Sequence, residues 1–291
     1  MTRRSWLLLA VLATTWFQGA VIQSAEKPKE LTLIVMDPLS APLSCDCVKG
    51  YAQRKYELLG SYLSTKLGRP VKVYWSESLT HALKEKTNGQ ADLIIGKHSV
   101  VLTDAKESSL KLKPVAALTG KDGQTTQTGL FVVRSADSAQ SAADLAGYRI
   151  FFGPAECDEK SAAPMQLLKE SGVTLADKPE TYPACSDAAA ALVELPSNAK
   201  AAAVISSYAA PLLEGCGTIK KGDLRVVVES KPVPFITAFV NASLADDDRA
   251  AVQKALLDVG TRPELLIGLE TQGGFVDWKE PADQKVAKKK N

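Results

Sequence analysis

From Leu31 onward the chain alternates short apolar runs with stretches whose apolar residues return every three or four positions. Leu31-Thr-Leu-Ile-Val-Met36 has the length of a buried strand. Ala52, Tyr56, Leu59, Leu63 and Leu67 then share one helical face, and Val71-Lys-Val-Tyr74 is a second strand. Gly68-Arg69-Pro70 ends that helix, because glycine accepts the left-handed cap and proline prevents continuation. A further helix over 79–87 stops at Asn88-Gly89, and Asp92-Leu-Ile-Ile95 opens another buried strand. Strand, helix, strand, helix, strand predicts a parallel sheet covered on both faces.

After Gly120-Lys-Asp-Gly123 the logic repeats. Strand Leu130-Phe-Val-Val133, a turn through Asp144-Leu-Ala-Gly147, strand Arg149-Ile-Phe-Phe152 and a helix over 161–170 form a second α/β block. A helix over 187–194, strand Ala203-Val-Ile205, a short helix over 211–214 and strand Arg225-Val-Val-Val228 continue it. Helical periods over 247–259 and 264–269 finish the chain, the last returning to the first block. No tandem repeat is present.

The first residues change the picture from cytosolic to exported. Met1-Thr-Arg-Arg-Ser5 is a positive start, and Trp6 to Ala13 is an apolar run too short to span a bilayer, followed by small residues from Ala20 to Ala25. This is the pattern of a secretory signal over 1–25, with cleavage expected near Ala25 and Ala20 as the other candidate. The remainder, about 265 residues, is large for one core and favours two lobes or one large sheet. Lys and Arg number 35 against 33 Asp and Glu, for a formal charge of +2. Such a balance provides no global field for nucleic acid or an anionic membrane. The Lys288-Lys-Lys290 end, within a tail over 286–291, reads as solvated chain.

Four short motifs then arrive in a recognisable order: Leu67-Gly-Arg-Pro-Val71, Asn88-Gly-Gln-Ala-Asp-Leu-Ile-Ile-Gly96, Asp144-Leu-Ala-Gly147 and Lys231-Pro-Val-Pro-Phe235. On this set, spread over 31–259, the chain resembles the PhnD-like periplasmic binding proteins of phosphate, phosphite and phosphonate ABC importers. The resemblance implies a type II periplasmic binding protein, the α/β Venus flytrap, with two lobes, a cleft and a two-strand hinge. It implies a first lobe over 26–122 with a C-terminal return over 262–285, a second lobe over 123–261, and crossings near 120–129 and 228–239. It also implies a small-molecule ligand, an inner-membrane ABC permease as partner, periplasmic location, a monomer, no cofactor and no catalysis.

In open α/β sheets ligands gather at the carboxyl ends of the strands, which places the site on loops 37–49, 96–100, 153–161, 183–187 and 206–208, with hinge segment 124–128. The resemblance implies an oxyanion held by Ser and Thr hydroxyls and by N–H groups at a helix start. Thr125, Thr126 and Thr128 fit the hinge-side donors. Ser44, Cys45, His98, Ser99, Glu156, Cys157, Ser161, Ser207 and Tyr208 complete the expected ligand contacts. One departure stands out: Gly153-Pro-Ala-Glu-Cys-Asp-Glu-Lys-Ser161 places Glu156, Asp158 and Glu159 where the family carries a hydroxyl cradle, and three carboxylates oppose an anion.

Cysteine usage opens an alternative. Cys45, Cys47, Cys157 and Cys185 all fall on the expected cleft loops, with Cys216 after a second-lobe helix. An oxidising compartment favours at least one disulfide, Cys216 with Cys185 or Cys157, although five cysteines allow about 15 arrangements of two bridges. Thiolates with imidazole suit soft metals, so zinc or copper held by Cys45, Cys47, His98 and Cys157 is the other reading, that of a metal-binding or redox-accessory protein on the same fold. His98, following a strand, is expected to face the cleft; His81, inside a helix, carries no function. No CxxC, CxxCH or HExxH occurs, which leaves thioredoxin-like exchange, covalent haem and zincin catalysis without support.

Export generates the first prediction. Protein recovered from the periplasm should begin between about residues 20 and 26 by intact mass; an uncleaved first segment in that fraction would refute the signal.

Overall fold

The computed structural model describes residues 29–44 and 53–280. Cys45, Asp46 and Cys47, the expected signal and the lysine tail lie outside the described residues.

The first lobe begins with β1 (Leu31–Met36), α1 (Tyr56–Leu67), β2 (Val71–Trp75), α2 (Leu79–Glu85), β3 (Leu93–Lys97), α3 (His98–Glu107) and β4 (Leu112–Leu118). β5 (Thr126–Gln127) leads out of it. The second lobe follows as β6 (Gly129–Arg134), β7 (Arg149–Phe152), α4 (Ala162–Glu170), β8 (Glu180–Thr181), α5 (Cys185–Glu194), β9 (Ala201–Ser206), α6 (Ala210–Gly215) and β10 (Leu224–Glu229). β11 (Val233–Pro234) leads back to β12 (Ile236–Asn241), α7 (Asp246–Asp258), α8 (Pro263–Gly268) and β13 (Phe275–Asp277).

Two sheets result. The first has the order β13-β4-β12-β3-β1-β2 and the second β10-β6-β9-β7-β8, while β5 and β11 pair antiparallel between them. Those two short strands are the hinge, and both lie inside the expected crossings. β1 runs parallel to β2 and β3, as the alternating apolar runs require, and β1 and β3 are buried along their whole length. β12 lies antiparallel between β3 and β4. Gly68, at φ 65°, supplies the left-handed end of α1.

Two expectations change. The second lobe was expected to extend to 261, but β12 is a central, buried strand of the first sheet. α7 belongs there too: Tyr62 on α1 donates to the Ala255 carbonyl at 3.2 Å, and Lys66 pairs with Asp258 at 2.8 Å. The apolar run of β12 finds its neighbours in the first core, so the return happens at β11. The other change is α3, which starts on the residue after β3 with no side-chain cap and no turn residue to mark it. The segment expected as a cleft loop over 96–100 is therefore the end of a strand and the first turn of a helix.

A clasp and a cavity between the lobes

The loop after β1 is shaped by Asp37, which is fully buried. Its carboxylate accepts from Arg54 Nη1 at 2.8 Å, from the Tyr56 hydroxyl at 2.6 Å and from the Leu39 N–H at 2.9 Å. Burial, followed by the charge of Asp37, pushes the Tyr56 phenol well up, so it remains a donor. The guanidinium lies over the Phe235 ring, which ties this loop to the start of β12. Ser44 is used inside the loop, donating to the Ala41 carbonyl at 3.2 Å and accepting from Gln53 at 2.8 Å.

Across the cleft, Lys97 at the end of β3 reaches Glu159 of the second lobe. The ammonium contacts Oε1 at 2.5 Å, and the Ser206 hydroxyl donates to the same oxygen at 2.7 Å. Glu159 is 0% exposed and Lys97 6%. Burial alone would push the Glu159 carboxyl up, but the Lys97 ammonium overrides it and holds the group below its ordinary range. Burial would lower the Lys97 ammonium, and contact with Glu159 raises it instead. A second tie lies beside this pair: the Ser99 hydroxyl donates to the Glu156 carbonyl at 2.7 Å and accepts from the Asp158 N–H at 3.2 Å. Gly129 makes room for the clasp, since a Cβ there would lie 1.9 Å from the Glu159 carbonyl oxygen.

Next to the clasp is a cavity of about 430 Å³, within the range of small-molecule sites. Met36, Pro38 and Leu43 from the β1 loop, exposed Glu77, and Lys97 with Val100 line its first-lobe side. Pro154, Glu156, Cys157 and Lys160 enter from the 153–161 loop, and Pro183 to Ser186 from the start of α5. Tyr208, Ala209, Leu212 and Leu213 close it. Lys160 is 5% exposed and donates to the Pro183 carbonyl at 3.2 Å. Tyr208 stacks on Phe235 with ring centroids 5.1 Å apart, and burial pushes its phenol up.

The expected contacts separate into those that line the cavity and those that do not. Glu156, Cys157 and Tyr208 line it. Ser99 serves the lobe-to-lobe tie. Ser207 faces the hinge, accepting from the Thr128 N–H at 3.2 Å. Thr126 is exposed on the hinge, Thr125 is half-buried and holds Phe235 through its carbonyl, and the Thr128 hydroxyl bonds Glu229. The buried hinge side chain is instead Gln127, whose Oε1 has no partner. Ser161 occupies the position before α4 but its side chain makes no cap.

His98 moves furthest from expectation. As the first residue of α3 it turns to the helix-covered face of the sheet, where Nδ1 meets the Thr237 hydroxyl at 3.1 Å and the ring stacks on Trp278 at 4.6 Å. Burial lowers its pKa to about 4, so it is a neutral packing residue at neutral pH. It does not join Cys157, and Cys45 and Cys47 lie outside the described residues. Among the described residues no group of three His, Cys, Asp or Glu side chains is arranged to hold a metal ion. The expected bridge from Cys216 is not formed either, because Cys157 and Cys185 are unpaired thiols. Cys185 packs on Ser206, whose N–H reaches its sulfur at 3.4 Å, while Cys216 is exposed at the end of α6 beside Thr218.

Lys97, Lys160, Cys185 and Ser206 are site residues that the expected ligand set omitted. Their signal was position: each sits on, or beside the end of, a strand or helix facing the cleft.

Two α/β lobes, a two-strand hinge and a cavity between them define a periplasmic binding protein of the Venus-flytrap type. XAC2383 from Xanthomonas citri bound to ATP matches at TM-score 0.64 and 16% identity, over 89% of this chain and 94% of that one. The binding component of an ABC phosphonate transporter from Pseudomonas aeruginosa matches at 0.63 and 13%, over 89% and 84%. PhnD1 from Prochlorococcus marinus in complex with methylphosphonate matches at 0.59 and 15%, over 91% and 99%. None of the curated proteins compared matches in sequence. The family described as ABC transporter, phosphonate, periplasmic substrate-binding protein matches residues 50–286, and the chain belongs to that family. It is thus a substrate-binding component of an ABC importer, and no described helix is long and apolar enough to cross a membrane.

Two predictions follow from the buried charges. Glu159→Gln leaves the Lys97 ammonium buried without its counter-charge, and should cost about 3–5 kcal/mol in urea unfolding at pH 7. A change under about 1 kcal/mol would show that the pair does not hold the lobes together. In the wild type this contribution is present above the ordinary carboxylate value of 4.5 and is lost as pH falls through the depressed native value.

His98 acts in an earlier window. Its native pKa, about 4, lies below the ordinary 6.5, so its contribution is complete above pH 6.5 and is lost as pH falls towards 4. Stability should drop by roughly 3 kcal/mol across that window. His98→Gln should flatten the slope between pH 6.5 and 4.5, and an unchanged slope would place the titrating group elsewhere.

Proposed function

We propose that the protein captures one small solute between its lobes and presents the closed form to an ABC permease in the inner membrane. The observation that carries this reading is that both lobes line one cavity and touch beside it through Lys97–Glu159 and Ser99. A ligand seated there adds contacts to the closed form alone, and so shifts the hinge equilibrium towards it. In this reading the chain is exported by its first 25 residues, works as a monomer in the periplasm, and carries out no chemistry of its own.

The oxyanion implied by the family fits this cavity poorly. Ser99 and Ser206 are committed to the clasp, Thr128 to Glu229, and Ser161 does not line the cavity. A second reading, zinc or copper as cargo, is favoured by one observation: the thiols of Cys157 and Cys185 and the thioether of Met36 line the same cavity. Burial pushes the Cys157 thiol up, which opposes the thiolate a metal requires.

The test joins two measurements. Native mass spectrometry of protein purified from periplasm without chelator should show a small organic ligand. Small-angle scattering should show expansion when that ligand is removed and compaction when it returns. A retained metal mass supports the second reading, and unchanged scattering with ligand bound removes the flytrap mechanism.

A further inference from the structure

The cleft's charges do not balance. Lys97, Lys160 and Glu159 are each more than nine-tenths buried, at 6%, 5% and 0% exposure. Two ammonium groups therefore share one carboxylate. Lys97 is in direct contact with Glu159, whereas the Lys160 ammonium donates to a neutral carbonyl, that of Pro183. One carboxylate cannot balance two buried ammonium groups, and a buried excess of charge is costly. The other carboxylates nearby, Glu156 and Asp158, are half-buried at the rim, where water screens them.

Lys160 is also held in place. Its side chain lies against Gly153, where a Cβ would stand 2.4 Å from Lys160 Cβ. Its ammonium sits by Pro183, just ahead of α5, a helix of 10 residues whose start has no side-chain cap and whose first residues line the same cavity. Unspent N–H groups at such a start favour an anion in the same place. The rest of the lining is largely apolar, with Met36, Leu43, Val100, Leu212 and Leu213 facing the space.

We infer that the solute is a small monocarboxylate with an apolar body, its single charge received by Lys160, and that phosphonate dianions are excluded. This inference rests on the solute-binding reading above. One negative charge neutralises the buried excess. A second finds no further ammonium to receive it, because Lys97, the other lysine lining the cavity, is already paired with Glu159. The apolar body replaces water against the aliphatic wall, which a methylphosphonate is too small to cover.

The experiment uses the mature chain, stripped of ligand by unfolding and refolding, and calorimetry with hexanoate, phenylacetate, leucine, hexanamide and methylphosphonate. Expected is binding of at least one carboxylate, with hexanamide and methylphosphonate each at least tenfold weaker, as loss of a charge-assisted contact implies. Lys160→Met should weaken the carboxylate at least tenfold while leaving hexanamide within about threefold. Wild-type competition needs no variant, so the inference remains testable if Lys160→Met does not fold. Tightest binding of methylphosphonate, or equal binding of amide and carboxylate, overturns the inference. If periplasmic protein carries a solute of another class, the monocarboxylate fails while solute capture stands. If it carries no solute and no ligand compacts it, solute capture itself fails.

Discussion

The contact between Lys97 and Glu159 is the constraint around which the cleft is organised. It joins the end of β3 in one lobe to the 153–161 loop of the other, in a place from which water is excluded. Either charge alone would be untenable there, so each lobe supplies what the other needs. The pair also recruits the groups around it: Ser206 completes the carboxylate's hydrogen bonds, Ser99 holds the loop backbone, and Gly129 leaves space for the loop to approach. The cavity beside it inherits its shape from this arrangement.

Most of the fold was legible because it depends on periodicity and punctuation. β1, β2 and α1 follow from their apolar patterns and from Gly68. The hinge strands β5 and β11 lie in the segments the family pattern indicated. α3 was not legible: it follows β3 without a cap residue, and a strand running directly into a helix leaves no turn residue to read. That junction also decided the site, because a residue in the first turn of a helix points differently from one in a loop. His98 went to the Trp278 side, while its neighbour Lys97, outside the expected ligand set, is buried against Glu159.

The three acidic residues of the 153–161 loop were read as repelling an anion, and their sum was the wrong quantity. Glu159 is neutralised by a lysine brought from 62 positions away, whereas Glu156 and Asp158 remain half-buried. A linear sequence shows which charges a loop carries but not which of them the opposite lobe cancels. The same holds for the cysteines: Cys157 and Cys185 do reach the cavity, yet His98 does not accompany them. Proximity of loops was legible, and the direction of side chains within them was not.

The position of β12 has a consequence for how the chain assembles. The second lobe is one continuous stretch inserted into the first, whose sheet cannot be completed until β12, α7 and β13 arrive from the far end of the chain. The inserted lobe takes every strand of its own sheet from β6 to β10, so it waits for nothing from the far end of the chain. During synthesis it is therefore the unit able to condense first, while β3 and β4 wait with an open, hydrogen-bonding gap between them. That gap is an unfilled strand slot for as long as β12 is absent, and unfilled slots invite pairing with other chains. The order of the strands makes the last third of the chain the guardian of the first third's solubility.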